Sequence, residues 1–144
     1  MQPENRALRT FTLNEANSLL PHIGPLVSNA FHINKKVKSL TGDIENLLSI
    51  WGKDVTERGH LDFDYYSHMA SQRNATINEL MDIANQIQSL GCVIKDLDNG
   101  LVDFYHENNG RLVFLCWKYG EDKIKYWHPV DGGFQSRSSV AQLG

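Results

Sequence analysis

Cysteine is scarce in this chain, two residues in 144. Cys92 and Cys116 have neither zinc-site spacing nor the density of a disulfide scaffold, so reduced thiols in a cytoplasm are expected. Charge of one sign is lacking too: 14 basic residues face 17 acidic ones, a net −3, and each half keeps that balance. Such a surface has no electrostatic footprint for nucleic acid or an anionic membrane. No apolar run approaches the ~20 residues that span a bilayer, and MQPENRALRT at the start carries no signal-peptide core. A P-loop, a dinucleotide fingerprint and a serine elbow are all missing. What remains is a cytosolic domain, 1–144 as one unit, without a catalytic signature.

What is present is two long helical patterns followed by a change of period. Met1 to Thr10 is polar and expected to fray. Thr12-Leu13-Asn14-Glu15 has the capping-box pattern, with Phe11 placed as a hydrophobic staple. It predicts a short helix over 11–20, broken at Pro21, which cannot donate into it. A second helix is expected over 21–51: Ile23, Leu26, Ala30, Ile33, Val37, Leu40, Ile44, Leu47 and Trp51 recur three and four residues apart, a coiled-coil-like seam. Gly52 can end it, and a polar tip follows. The third helix, 62–90, repeats the spacing at Phe63, Tyr66, Ala70, Arg73, Ile77, Leu80, Ala84 and Ile87, flanked by Met69, Thr76, Ile83 and Leu90. The two long helices fold back as an antiparallel hairpin. Its second stripe is covered either by the first helix or by a second copy, which makes a homodimer through the hairpin.

From Gly91 the period becomes two. Val93-Ile94, Leu101 to His106, Leu112 to Trp117 and Ile124 to His128 predict a four-stranded antiparallel meander over 91–130, with a tail over 131–144. The fold class is α+β. A two-residue turn at Asn109-Gly110 and a four-residue turn after Lys118 put Val102, Trp117 and Ile124, Phe104, Leu115 and Tyr126, and His106, Val113 and His128 on one inward face. The outward face then carries an aromatic row, Tyr105–Phe114–Trp127, beside a polar row, Asp103–Cys116–Lys125. At Asn99-Gly100 two registers stand open. A two-residue turn sets Asp96 against Asp103, and a three-residue loop sets Lys95 there.

This outward face, with a few residues near it in sequence, supplies most of the candidate binding residues, and the inward His106 and His128 add a further pair. Asp96 with Asp103 is one alternative for a divalent metal, since paired carboxylates repel unless something compensates. His106 with His128 is the other, although no third ligand completes a tetrahedron. Asp96 to Gly100 with Glu107 departs from a calcium loop at its fifth and sixth positions. Cys116 lies beside no His and reads as a buried, inert thiol.

The segments FTLNEANSLLP (Phe11 to Pro21), GCVIKDLDNGLVDF (Gly91 to Phe104), LCWKYGED (Leu115 to Asp122), YWH (Tyr126 to His128) and GGFQSR (Gly132 to Arg137) together resemble an uncharacterised prokaryotic family catalogued as domain of unknown function 2203. The resemblance covers both ends of the chain and only the pattern of the long helices. The family has Pro where this chain has Tyr105, and again near Ser138-Ser139. It implies that Lys95, Asp96, Asp103, Cys116, Trp117, Glu121, Trp127, His128 and Arg137 fall in motif positions, and it brings no activity with it. The leading expectation is a non-catalytic interaction or ligand-binding module with a protein or small-molecule partner and no cofactor. Its site comprises Lys95, Asp96, Asp103, Cys116, Glu121, Lys125, Trp127, His128 and Arg137. The alternative is a metal-dependent enzyme or metal-binding protein using Asp96, Asp103, Glu121 and His128.

Overall fold

Thr12 opens the first helix as the capping box requires. Its hydroxyl accepts from the Glu15 amide at 3.0 Å, and the Glu15 carboxylate accepts from the Thr12 amide at 2.8 Å. In the computed structural model, which describes residues 8–143, that helix, α1, runs without interruption over Leu13–Trp51. The expected break at Pro21, and with it the separate helix over 11–20, does not occur. Ala16, Leu20, Ile23 and Val27 are all buried and form one stripe across both prolines, whereas Pro21 and Pro25 lie on the exposed side. Each proline removes one i→i−4 bond, and the carbonyls it frees, on Asn17 and Pro21, belong to half-exposed and exposed residues that solvent can serve. Continuous burial outweighs two missing hydrogen bonds.

Gly52 ends α1 with a φ of 65°. A 3-10 turn over Gly52–Thr56 buries Val55 at the tip. Trp51 donates its indole N–H to Asp62 at 2.8 Å, closing the tip onto α2, Phe63–Ser89. The helices pack as the expected hairpin. On α2 the deepest residues are Met69, Thr76, Ile83 and Ile87, so the flanking heptad row, more than the seam itself, faces α1.

Five strands follow, not four, in a meander ordered β1 to β5: Val93–Asp96, Leu101–Asn108, Arg111–Lys118, Tyr126–Pro129 and Ser138–Ser139. The fifth lies in the tail, where two serines offer no alternation to read. Asn109 and Gly110 both have positive φ, 54° and 77°, the two-residue hairpin turn its sequence calls for. The β2–β3 register is the expected one, with Val102 opposite Trp117, Phe104 opposite Leu115 and His106 opposite Val113.

The β3–β4 register is one residue off the expectation: Leu115 pairs with Trp127, Phe114 with His128 and Cys116 with Tyr126. Lys118 to Glu121 closes a tight turn, with the Glu121 amide on the Lys118 carbonyl, the Glu121 carboxylate on the Lys118 amide and the Trp117 indole N–H on the Glu121 carbonyl. Residues 122–125 then stay unpaired with β3. The Ile124 amide is taken by Asn17 Oδ1 at 2.8 Å, so Ile124 is buried as expected without being in a strand. One residue of slip exchanges the two faces of β4. Trp127 therefore packs against the core, and Tyr126 and His128 point outward.

The core joins α1 as far as Ile33, the last turns of α2, the inner face of the sheet (Phe104, Leu115, Trp117 and Val102) and Ile124 from the connection before β4. Thus the sheet, not a separate first helix, covers the base of the hairpin. The N-terminal segment is stitched to it. Of the stretch expected to fray, residues 1–7 lie outside the described residues, but Arg9 donates to the Leu90 carbonyl at 2.8 Å. Phe11 packs edge-on against Phe104 at 5.3 Å, its amide bonds the Tyr105 carbonyl, and its carbonyl lies 2.7 Å from His106 Nδ1. No helix among the described residues is long and apolar enough to cross a membrane.

Candidate functional site

Alternation along the strands puts Leu101, Asp103 and Tyr105 of β2, Phe114 and Cys116 of β3, and Tyr126 and His128 of β4 on the outer face. The tail folds over this face, which is why an outward carboxylate, Asp103, is only 1% exposed. His128 reaches diagonally over β3. Its Nε2 lies 2.9 Å from Asp103 Oδ2, and both groups are buried. His128 Nδ1 lies 2.7 Å from the Pro129 carbonyl. A carbonyl can only accept, so Nδ1 carries a proton, and the Nε2–Oδ2 contact holds one more between the two residues. The second carboxylate oxygen, Oδ1, is buried and has no hydrogen-bond partner among the described residues.

Burial pushes the Asp103 carboxyl up from its ordinary value, against the opposing pull of His128, the Cys116 thiol and Lys95. Burial, and then the charge of Asp103, push the Cys116 thiol up to about 12. The thiol is therefore protonated at neutral pH. Cys92 is likewise pushed up by burial, to about 11. The expectation that Cys116 lies beside no His is overturned, because its sulfur and a His128 nitrogen lie within 4.8 Å of each other once β4 has slipped.

These side chains line a cavity of about 290 Å³ whose walls include Lys95, Leu101, Gly132, Gly133 and Phe134. Lys95 lies over the Phe114 ring, 4.4 Å from its centroid. Asp96 also borders the cavity, but its carboxylate closes its own turn, accepting from the amides of Asp98 and Asn99 and from the Asn99 side chain. Neither of the two expected registers forms at that turn. Val93 stands opposite Asp103, a bulge follows, and Asp96 pairs with Leu101. Gly100 is required there. Its φ is 67°, and a Cβ would come within 2.7 Å of the Tyr119 Cβ.

Of the nine candidates, Lys95, Asp96, Asp103, Cys116 and His128 border one cavity, while Glu121, Lys125, Trp127 and Arg137 are not among its walls. Lys125 lies in the unpaired connection, beside Asp122 at 3.3 Å. Trp127 packs against the core, with its indole nitrogen buried and unpartnered among the described residues. Glu121 and Arg137 form a buried-edge ion pair at 3.0 Å, with the guanidinium stacked between Tyr126 and Phe134 at 4.1 and 4.7 Å. Arg137 thus ties the tail to Glu121. The pairing of His106 with His128 is overturned, because the two lie on opposite faces of the sheet and His106 is occupied by Phe11. The sequence reading missed Leu101 and Phe134. The tail carries no pattern that places Phe134 over a strand, and only the Gly132-Gly133 pair hinted at a bend.

The family model described as uncharacterized conserved protein (DUF2203) matches residues 9–140. The chain belongs to this family. The DUF2203 match takes in both helices and all five strands, so the outer-face cavity lies wholly inside it. No curated protein and no solved structure matches the chain.

Proposed function

We propose that this DUF2203 protein is a non-catalytic binding module: the helical hairpin is its scaffold, and a small polar ligand sits in the cavity beside Asp103. The observation that carries this reading is Asp103 Oδ1, a buried acceptor with no hydrogen-bond partner among the described residues. Leaving such a group unmet costs about 1–3 kcal/mol, which a ligand N–H or O–H would recover. Leu101 and Phe134 offer apolar walls, and the volume is near the lower end of small-molecule pockets. The test is an amide-shift NMR screen of chelator-treated protein against primary amides, amidines and alcohols. Shifts should centre on Lys95, Gly132 and Gly133 and vanish in Asp103→Asn. Binding confined to other surfaces would remove the reading.

A second copy of the chain is the proposed partner. Beyond the sheet, Tyr66, Ala70 and Arg73 of α2 form a groove with Thr41 and Ile44 of α1, and Tyr65, Leu48 and Ile50 are exposed. Coiled-coil-type packing of two hairpins would cover this half. Light scattering after size exclusion should give a dimer at micromolar concentration; a monomer removes the proposal. The free thiols of Cys92 and Cys116 suit a cytoplasmic location.

A further inference from the structure

We propose that Asp103, Cys116 and His128 hold a divalent transition-metal ion of the zinc class, with an open coordination position facing the cavity. The inference rests on that cavity being a binding site and names what it binds. One ligand atom from each of the three residues, an oxygen, a sulfur and a nitrogen, lies within 4.8 Å of the other two, and all three residues are buried. That donor set suits zinc, which takes carboxylate, thiolate and imidazole ligands and keeps a position open where the protein supplies three.

Three features of the surroundings point the same way. The bond from His128 Nδ1 to the Pro129 carbonyl fixes the tautomer and turns Nε2 toward Asp103. A metal-binding histidine is commonly oriented by such an outer hydrogen bond. Asp103 Oδ1 has no partner among the described residues, so the carboxylate has a spare oxygen for an ion or for a molecule bound to it. The Gly133 position leaves the cavity wall open, since a Cβ there would meet nothing.

Geometry and charge are both compatible. Ligand atoms of a tetrahedral ion with bonds of about 2.0–2.1 Å sit roughly 3.4 Å apart, so the 2.9 Å contact between Asp103 and His128 need open only slightly, while the three ligand atoms, which lie within 4.8 Å of one another, draw together around the ion. Binding releases the thiol proton of Cys116 and the proton held between Asp103 and His128, while the Nδ1 proton stays. One thiolate and one carboxylate then neutralise the ion, so Lys95 faces no added net charge. Asp96 is not a ligand, because its carboxylate is committed to the turn at Asp98 and Asn99.

The experiment is a titration of the full chain, stripped with chelator, with cobalt(II) followed by zinc(II). One equivalent of cobalt should give thiolate-to-cobalt charge-transfer absorption and the intense visible bands of a four-coordinate ion, and zinc should abolish both. Cys116→Ser should lose the charge-transfer band, whereas Cys92→Ser keeps it. Far-UV circular dichroism checks that each variant is folded, and a zinc-dependent rise in wild-type Tm gives a readout that needs no variant. No charge-transfer band in the wild type, or a band that survives in Cys116→Ser, overturns the metal site. If the stripped protein still binds the polar fragments described above, the binding module stands and only the metal falls. If neither binds, both fall.

Discussion

Asp103 and His128 lie on strands that do not pair with each other, yet their side chains meet at 2.9 Å across the strand that carries Cys116. The pair is buried, so removing one partner strands the other. In chelator-treated protein, His128→Leu should cost about 3–5 kcal/mol, and the double change Asp103→Leu with His128→Leu should cost much less than the two single losses added together. Urea unfolding of the four proteins in the cycle measures this. Additive losses would show that the two side chains are not coupled.

Pro21 sits inside α1, past its first two turns and on its exposed side. Pro21→Ala should therefore stabilise the protein, by up to about 3 kcal/mol, because it restores the amide that the Asn17 carbonyl lacks and removes the ring clash. Thermal unfolding should show a higher Tm. A lower one would mean that the helix needs the proline's local geometry.

Arg137 holds the tail by a shape that lysine cannot copy: a flat guanidinium between Tyr126 and Phe134, with one nitrogen 3.0 Å from both Glu121 oxygens. In Arg137→Lys, hydrogen exchange over residues 134–143 should speed up about tenfold or more, since a charged hydrogen bond of this kind contributes roughly 1.5–3 kcal/mol. Exchange in α2 should not change.

Asp98 gives a pH dependence. Hydrogen bonds from Lys38 and Asn34 hold its carboxyl below the ordinary 3.8. A carboxyl lowered by folding adds stability above its unfolded value and loses it as the pH falls through the folded one. The Tm of the wild type should thus exceed that of Asp98→Asn at neutral pH, and the gap should close in acid as the pH falls below the ordinary 3.8 and through the lowered folded value. A gap that widens in acid would reverse the assignment. The group is exposed, so the effect is small and should shrink with salt.

Most of the hairpin was legible because burial writes itself into spacing. Thr12 with Glu15, the seam from Ile23 to Leu47, the end at Gly52 and the Asn109-Gly110 turn are local signals, and each appears where the residues put it. The uninterrupted helix was not legible, because proline reads as a stop unless the buried stripe on its far side is known to continue. The face of β4 was lost for a similar reason. Alternation within Tyr126-Trp127-His128 fits either register, and the deciding contact, Asn17 with the Ile124 amide, spans most of the chain. Three of the nine candidates moved with β4 and the connection before it. Asp103 and Cys116 stayed together because the β2–β3 register was correct, His128 joined them through the slip, and Lys125 and Trp127 left.

The clamp between Phe11 and Tyr105-His106 also sets an order of assembly. The hairpin can close from its tip, where Trp51 meets Asp62, and can form early, as helices do. The segment that leads into α1 is pinned only when Phe11 meets β2, a loop closure over more than ninety residues that must await synthesis of the sheet. A nascent chain cut short before β2 would therefore hold a formed hairpin whose first turns, with Ala16, Leu20 and Ile23, lie bare. Folding of the whole protein is then timed by the sheet, and this apolar end of the hairpin is the surface a chaperone would meet.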